Sequence, residues 1–349
     1  MITSAAPSEA DGNNAYEKDL SSSLSYQHLF MKYGFSPKHV SVHIDNYGRA
    51  ANIETSEGKY NLELIQKADV IFFNGGDQAR HSRSWLDDEG SPNELFQYIV
   101  KRKNDDSAIF AGTSAGTMIM SNQMYGGGIS YGHLYFSLSV GLAQKKVSDG
   151  GVNGTGLSDT RNGTKGIQYE DNGGMMPGFG FVDMLIDTHF DARGRLGRMM
   201  AGLLQTKKEM GVGIDESTCL FFDNGVGKVF GSNGVFIVDV SRIVVNPRLK
   251  YFNLKGAIVS HLTIGDKFIF HDKTVISSKE LIKSPAYSGY RDSTNIFEEY
   301  ECTLLSERLV DQTGKYNIGR SRIPSGYEGS APKFGLTFYV TDRSKGYYS

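Results

Sequence analysis

Gly112-Thr113-Ser114-Ala115-Gly116 is a G-x-S-x-G pentapeptide set between two apolar runs, Ala108-Ile109-Phe110-Ala111 and Thr117-Met118-Ile119-Met120. The arrangement predicts a strand, a sharp turn and a helix. A serine at such a turn takes a strained backbone geometry. Its flanking glycines have no Cβ to strike the adjoining strand and helix, so Ser114 Oγ would project from a sheet edge as a nucleophile. The helix opening at Ala115 would aim backbone amides and its positive dipole end at the place where an oxyanion develops. A glycine-rich turn without chemistry can carry the same pentapeptide, so partners elsewhere must decide between the two.

A hydroxyl nucleophile needs a base and a group to orient that base. Of eight histidines, His189 has the most suitable setting, because it follows the apolar run Phe181 to Asp187. Glu216 leaves the run Gly211 to Asp215 in the same way, so Ser114, His189 and Glu216 would all stand at strand exits. A buried structural histidine and a surface acid are the alternatives. Asn74-Gly75-Gly76-Asp77-Gln78 follows another apolar run, and the Gly76 and Asp77 amides could donate to an oxyanion beside that of Ala115. Arg193, Arg195 and Arg198 suit a substrate carboxylate, which guanidinium grips in a bidentate fork; a solvated helix face is the alternative. Asp187, His189 and Asp191 alternate, but no second histidine stands at a metal-ligand spacing. No metal and no cofactor is expected.

These residues must be positioned by the elements around them. Ala15 to Tyr33 carries apolar residues at near-helical spacing, His39 to Ile44 alternates like a strand, and Asn61 to Lys67 reads as a helix before the strand Asp69 to Phe73. Ser91-Pro92-Asn93-Glu94 opens a further helix with Pro92 in its first turn. Such alternation predicts an α/β fold with a mostly parallel sheet, helices on both faces, and ligands at the carboxyl ends of the strands. Leu196, Met199, Met200 and Leu203 form one face of a later helix. Asn224-Gly225 between β-rich runs predicts a hairpin. The expected organisation is a catalytic domain over 1–240 with a glycine-rich insertion at about 126–180, then a β-rich extension over 241–349.

The chain has 349 residues, a net charge of −2 and interspersed acids and bases, which points away from a nucleic-acid groove or a polybasic membrane patch. Its apolar runs are too short to span a membrane, and its start lacks a signal-peptide pattern, so a soluble protein of unassigned compartment is expected. Cys219 and Cys302, the only cysteines, can make one bridge at most. Asn153-Gly154-Thr155 and Asn162-Gly163-Thr164 are glycosylation acceptors if the chain is secreted.

Gly75-Gly76-Asp77-Gln78, the Ser114 elbow, Asp187-Thr188-His189-Phe190-Asp191-Ala192-Arg193-Gly194-Arg195-Leu196-Gly197-Arg198 and Gly213-Ile214-Asp215-Glu216-Ser217-Thr218 resemble, in the same order, the motifs of the cyanophycinase family. That family is a serine peptidase group related to aspartyl dipeptidases. The resemblance covers roughly Met1 to Val240. It implies a flavodoxin-like fold related to class I glutamine amidotransferases, with serine replacing the nucleophilic cysteine. It implies Ser114 as nucleophile, His189 as base and then acid, and Glu216 as orienting carboxylate. Gln78, Asp187, Thr188, Arg193, Arg195 and Arg198 would line or brace the substrate pocket. The implied substrate is a peptide or cyanophycin-like polymer of aspartate bearing arginine on its side-chain carboxyls, and homodimers are common in the family. The alternatives are an aspartyl dipeptidase-like exopeptidase, or an inactive secreted binding or structural relative. An α/β-hydrolase esterase would want its histidine near the end of the chain. Thr188 stands where the family usually carries glutamine, and Ile2-Thr3-Ser4-Ala5 resembles the end of the family's first strand, so a segment upstream of it is expected to be absent.

Overall fold

The computed structural model describes residues 1–19, 24–87, 89–138, 141–142, 146–147, 168–169, 175–324, 327 and 331–348. They form a mixed α/β structure in two units: residues 1–127 with 175–183, and residues 128–138 with 184–348.

In the first unit the helix Ser56–Lys67 is capped by Thr55, whose hydroxyl accepts the Gly58 amide. It leads into the strand Val70–Phe73, which pairs in parallel with Ile109–Gly112, Phe73 lying opposite Gly112. Ile2 pairs in parallel with both Phe73 and Val40. The predicted strand from His39 to Ile44 is therefore reduced to pairing at Val40; beyond it, the Val42 carbonyl accepts Ser4 Oγ and the His43 amide donates to Asn46 Oδ1. The predicted helix from Ala15 to Tyr33 is instead two, Glu9–Glu17 and Tyr26–Lys32, with part of the intervening sequence outside the described residues. The helix Glu94–Asn104 begins two residues after Pro92, because Asn93 caps it through the Phe96 amide. Ile2, Ile71, Phe73, Trp85, Leu95, Phe96 and Ile99 are buried in one core. The Trp85 indole N–H donates to Ser4 Oγ at 2.8 Å, which satisfies the one polar atom that its burial brings in.

The second unit contains a sheet ordered Ile258–Leu262, Val235–Asp239, Met210–Ile214, Leu185–Thr188. Its last pair is parallel and the others antiparallel. The strand expected from Phe181 starts only at Leu185, because Phe179 and Phe181 pack in the first unit's core. The helix Leu196–Thr206 buries Leu196, Met199, Met200 and Leu203. Thr218–Asp223 and Val226–Gly231 form the expected hairpin, with Asn224 and Gly225 at φ 46° and 76° as a tight primed turn requires. The C-terminal segment adds short strands, among them Tyr316–Arg320 paired with Gly335–Tyr339, and also a helix, Glu301–Val310. No residue beside it in the sequence marks the start of that helix. Tyr300 enters it in the left-handed region without a side-chain cap of its own, and the capping carboxylate comes from Asp191.

Candidate functional site

Ser114 sits between the strand Ile109–Gly112 and the short helix Ala115–Met118 with φ 50° and ψ −116°. A non-glycine residue held there carries about 1–3 kcal/mol of backbone strain, which the surrounding structure must impose. The glycines show how it does so. A Cβ on Gly112 would lie 2.2 Å from the Gly116 carbonyl oxygen, and one on Gly116 would lie 2.2 Å from that of Phe73. Only bare backbone allows strand and helix to approach this closely.

The loop after Val70–Phe73 lies against this turn: a Cβ on Gly75 would be 3.4 Å from the Ser114 Cβ. Gly76 has φ 140° and its Cβ position is 2.7 Å from the Ala5 carbonyl oxygen. The Asp77 amide donates to that same carbonyl at 3.1 Å. It is therefore committed to the fold, and of the three amides expected to face an oxyanion, those of Gly76 and Ala115 remain candidates. The Asp77 carboxylate caps the helix Gln78–Trp85 through the Ala79 amide, and burial pushes its pKa up. Gln78 Nε2 donates to the Tyr125 carbonyl at 2.6 Å.

Three side chains outside the predicted site hold this loop. Asn74 Oδ1 accepts the Ala5 amide, and the Asn74 amide donates to the Ile2 carbonyl. His81, fully buried, places Nε2 3.0 Å from the Asn74 carbonyl. Burial lowers its pKa to about 4, so at neutral pH it is an uncharged donor to that carbonyl. The Tyr26 hydroxyl accepts the Gly75 amide at 3.4 Å.

In the second unit, His189 and Glu216 follow the parallel neighbours Leu185–Thr188 and Met210–Ile214, as the sequence predicted. His189 Nδ1 is 2.9 Å from Glu216 Oε1. The histidine has φ 47°, and both side chains are partly exposed, at 26% and 47%. Asp215 fastens the turn between them: its two carboxylate oxygens accept the Asp191 and Ala192 amides at 3.1 and 3.0 Å. The Glu216 carbonyl accepts Asn233 Nδ2 at 2.9 Å.

Arg195 and Arg198, expected to grip a substrate carboxylate or brace its pocket, are both engaged by Asp187. Asp187 is fully buried. It accepts Arg198 Nε at 2.6 Å, Arg198 Nη2 at 2.5 Å, Arg195 Nη1 at 3.0 Å and the Thr188 amide at 2.9 Å. Burial alone would raise its pKa, but the two guanidinium groups outweigh that and hold it below the ordinary carboxylate range. Burial in turn lowers Arg195 to about 10, with the neighbouring Arg198 charge adding to the effect. A hydrophobic helix face thus carries an arginine inward because a buried acid awaits it, a pairing that periodicity cannot reveal. Arg193 is exposed. Thr188 is buried, and its hydroxyl has no hydrogen-bond partner among the described residues.

Asn153 and Asn162 lie outside the described residues. Cys219 is exposed and Cys302 buried, and both are free thiols. Among the described residues no group of three or more histidine, cysteine or acidic side chains could hold a metal ion, and no helix is long and apolar enough to cross a membrane.

No family model matches the chain. Cyanophycinases from a Nostoc species and from Trichormus variabilis are each 28% identical to it over 241 residues, covering 66% of this chain and 66% of theirs. A cyanophycinase from Synechococcus elongatus is 30% identical over 217 residues, covering 59% of this chain and 55% of its own. The match thus spans less than two thirds of each of these relatives. A solved peptidase from an acI-B1 actinobacterium overlays 77% of this chain and 82% of its own at 19% identity, with a TM-score of 0.44. In sequence, this chain is similar to the cyanophycinases.

Proposed function

We propose that the chain is a serine-type peptidase of the cyanophycinase kind, hydrolysing an amide next to an aspartyl unit through an acyl-enzyme on Ser114. His189 takes the Ser114 proton on attack and returns it to the leaving amine, while Glu216 fixes the imidazole's tautomer and orientation. The Gly76 and Ala115 amides receive the charge of the tetrahedral intermediate. The observation that carries the reading is the His189–Glu216 hydrogen bond at 2.9 Å. With Nδ1 turned to a carboxylate, proton transfer falls to Nε2, as nucleophilic catalysis by a serine requires. The cyanophycinase relatives support the substrate class, and the strained Ser114 backbone supports the nucleophile.

The finer fold assignment belongs to the same proposal. Parallel pairing in the spatial order Val40, Ile2, Val70–Phe73, Ile109–Gly112 is that of the first four strands of a flavodoxin-like sheet, whose ligands sit at carboxyl strand ends.

Incubation with synthetic cyanophycin and with Asp-X and β-Asp-X peptides, products identified by mass, tests the proposal. Ser114→Ala should lose activity by about 10³-fold or more, and full activity in that variant would end it. A second reading, a dipeptidase acting on short aspartyl peptides, draws support from Thr188 in place of glutamine and from the commitment of Arg195 and Arg198 to Asp187. Turnover of dipeptides with an untouched polymer would favour it.

A further inference from the structure

The residues after His189 are tied to a helix more than a hundred positions away. Asp191, fully buried, accepts the Cys302 amide on Oδ1 at 3.3 Å and the Thr303 amide on Oδ2 at 2.6 Å, so its carboxylate caps Glu301–Val310. Its carbonyl accepts the Tyr300 amide at 2.9 Å and the Gly194 amide at 3.0 Å, while its own amide donates to Asp215. Gly194 has φ 54°, and a Cβ there would lie 2.2 Å from the Phe297 carbonyl oxygen, so the two segments meet backbone to backbone. At the far side Asn233 Nδ2, which holds the Glu216 carbonyl, lies 3.5 Å from the Tyr300 hydroxyl.

We infer that Asp191 is a positioning residue through which the C-terminal segment holds the His189–Glu216 pair in register. It acts by fixing the backbone turn that starts at His189 and the Asp215 carboxylate that precedes Glu216. The tail beyond residue 240 is in this view part of the catalytic scaffold. The inference rests on the hydrolytic reading for its kinetic consequences, but the geometry it asserts can be read without activity.

The test compares Asp191→Ala, Asp191→Asn and Thr303→Pro in the full chain. Proline removes the amide donor at a first-turn position, where a helix tolerates it, and leaves Asp191 intact. Asp191→Ala should lower kcat about 50-fold with KM within about 2-fold, since a small misplacement of a catalytic group costs rate rather than affinity. It should also abolish the downfield proton resonance of His189 Nδ1–H bound to Glu216. Asp191→Asn, which keeps an acceptor oxygen, should retain the resonance and a kcat within about 5-fold of wild type, and Thr303→Pro should fall about 10-fold. A folded Asp191→Ala protein with wild-type kcat and an unchanged resonance overturns the inference. If that variant does not fold, the same result in Thr303→Pro overturns it. Should Ser114→Ala keep full activity, the hydrolytic reading fails separately, and the resonance alone then decides: lost in Asp191→Ala it supports the positioning role, retained it rejects it.

Discussion

The two units fix their candidate catalytic groups by different physics. Around Ser114 the constraint is backbone against backbone: Gly112, Gly116 and Gly76 stand where any Cβ would enter a carbonyl group. Around His189 it is side chain against backbone, with Asp215, Asp191 and Asp187 each buried and each accepting amide or guanidinium protons. Steric exclusion admits no graded response, whereas a hydrogen-bond lattice loses strength one bond at a time. Substitutions in the first region should act as switches and those in the second as dials.

Gly116→Ala tests this most severely. Its Cβ would lie 2.2 Å from the Phe73 carbonyl oxygen and 2.7 Å from that of Asn74, so the elbow must move. Activity should fall about 10³-fold or more, and stability by about 1–3 kcal/mol, the typical cost of an overpacked site. Measured turnover and urea denaturation check both figures. A variant within 10-fold of wild type would show that the elbow yields, and the comparison would break.

Asp187→Ala comes next. It leaves Arg198 and Arg195 buried without their counter-ion, which typically costs about 3–5 kcal/mol. Asp187→Asn keeps the acceptor oxygen and should lose less, and denaturant midpoints for the pair measure the difference. Equal losses would mean that packing, not charge, holds this corner.

These effects also explain what could be foreseen from the sequence. The elbow was legible because its constraint is local: Gly112, Ser114 and Gly116 lie within five residues, and φ and Cβ clashes are properties of neighbouring backbone. Strand exits at His189 and Glu216 were legible because burial of a strand writes an apolar run. The roles of Arg195 and Arg198 were not, since a charged side chain reads as solvent-facing unless its buried partner is known. Nor was the helix Glu301–Val310, whose cap is supplied by Asp191 across the fold. His81 and Tyr26 carry no sequence signature of loop support, because the carbonyl and the amide they meet belong to every residue alike.

Glu216→Gln should act on rate and leave the fold alone. Glu216 is half exposed and its carboxylate meets His189 at 2.9 Å, so the amide replaces it without a buried penalty but lets the imidazole adopt the wrong tautomer. Turnover should fall about 10²-fold, less than for a buried orienting acid, with the melting temperature unchanged. Loss of stability with retained turnover would recast the pair as structural.

The smallest effect is the most discriminating, because it differs in sign between two acids of the same region. The Asp187 pKa is held down, its ionised form being favoured by Arg198 and Arg195 against burial. Its contribution to stability is therefore present above the ordinary carboxylate pKa and is lost as pH falls through the lowered value. The Asp191 pKa is pushed up, first by burial and further by its neighbour Asp215, although the helix amides oppose the shift. Its contribution is fully present below the ordinary carboxylate pKa and is lost as pH rises through the raised value. Relative to wild type, Asp187→Asn should therefore be worst at neutral pH and recover on acidification, whereas Asp191→Asn should compare best at neutral pH and worsen as pH falls. Melting temperatures between about pH 2 and pH 7, a window that spans the carboxylate range on both sides, should show the two difference curves sloping in opposite directions by a few degrees. Parallel curves would mean that the two buried acids sense one shared field, and that the arginine pair and the helix cap are not the separate devices their contacts describe.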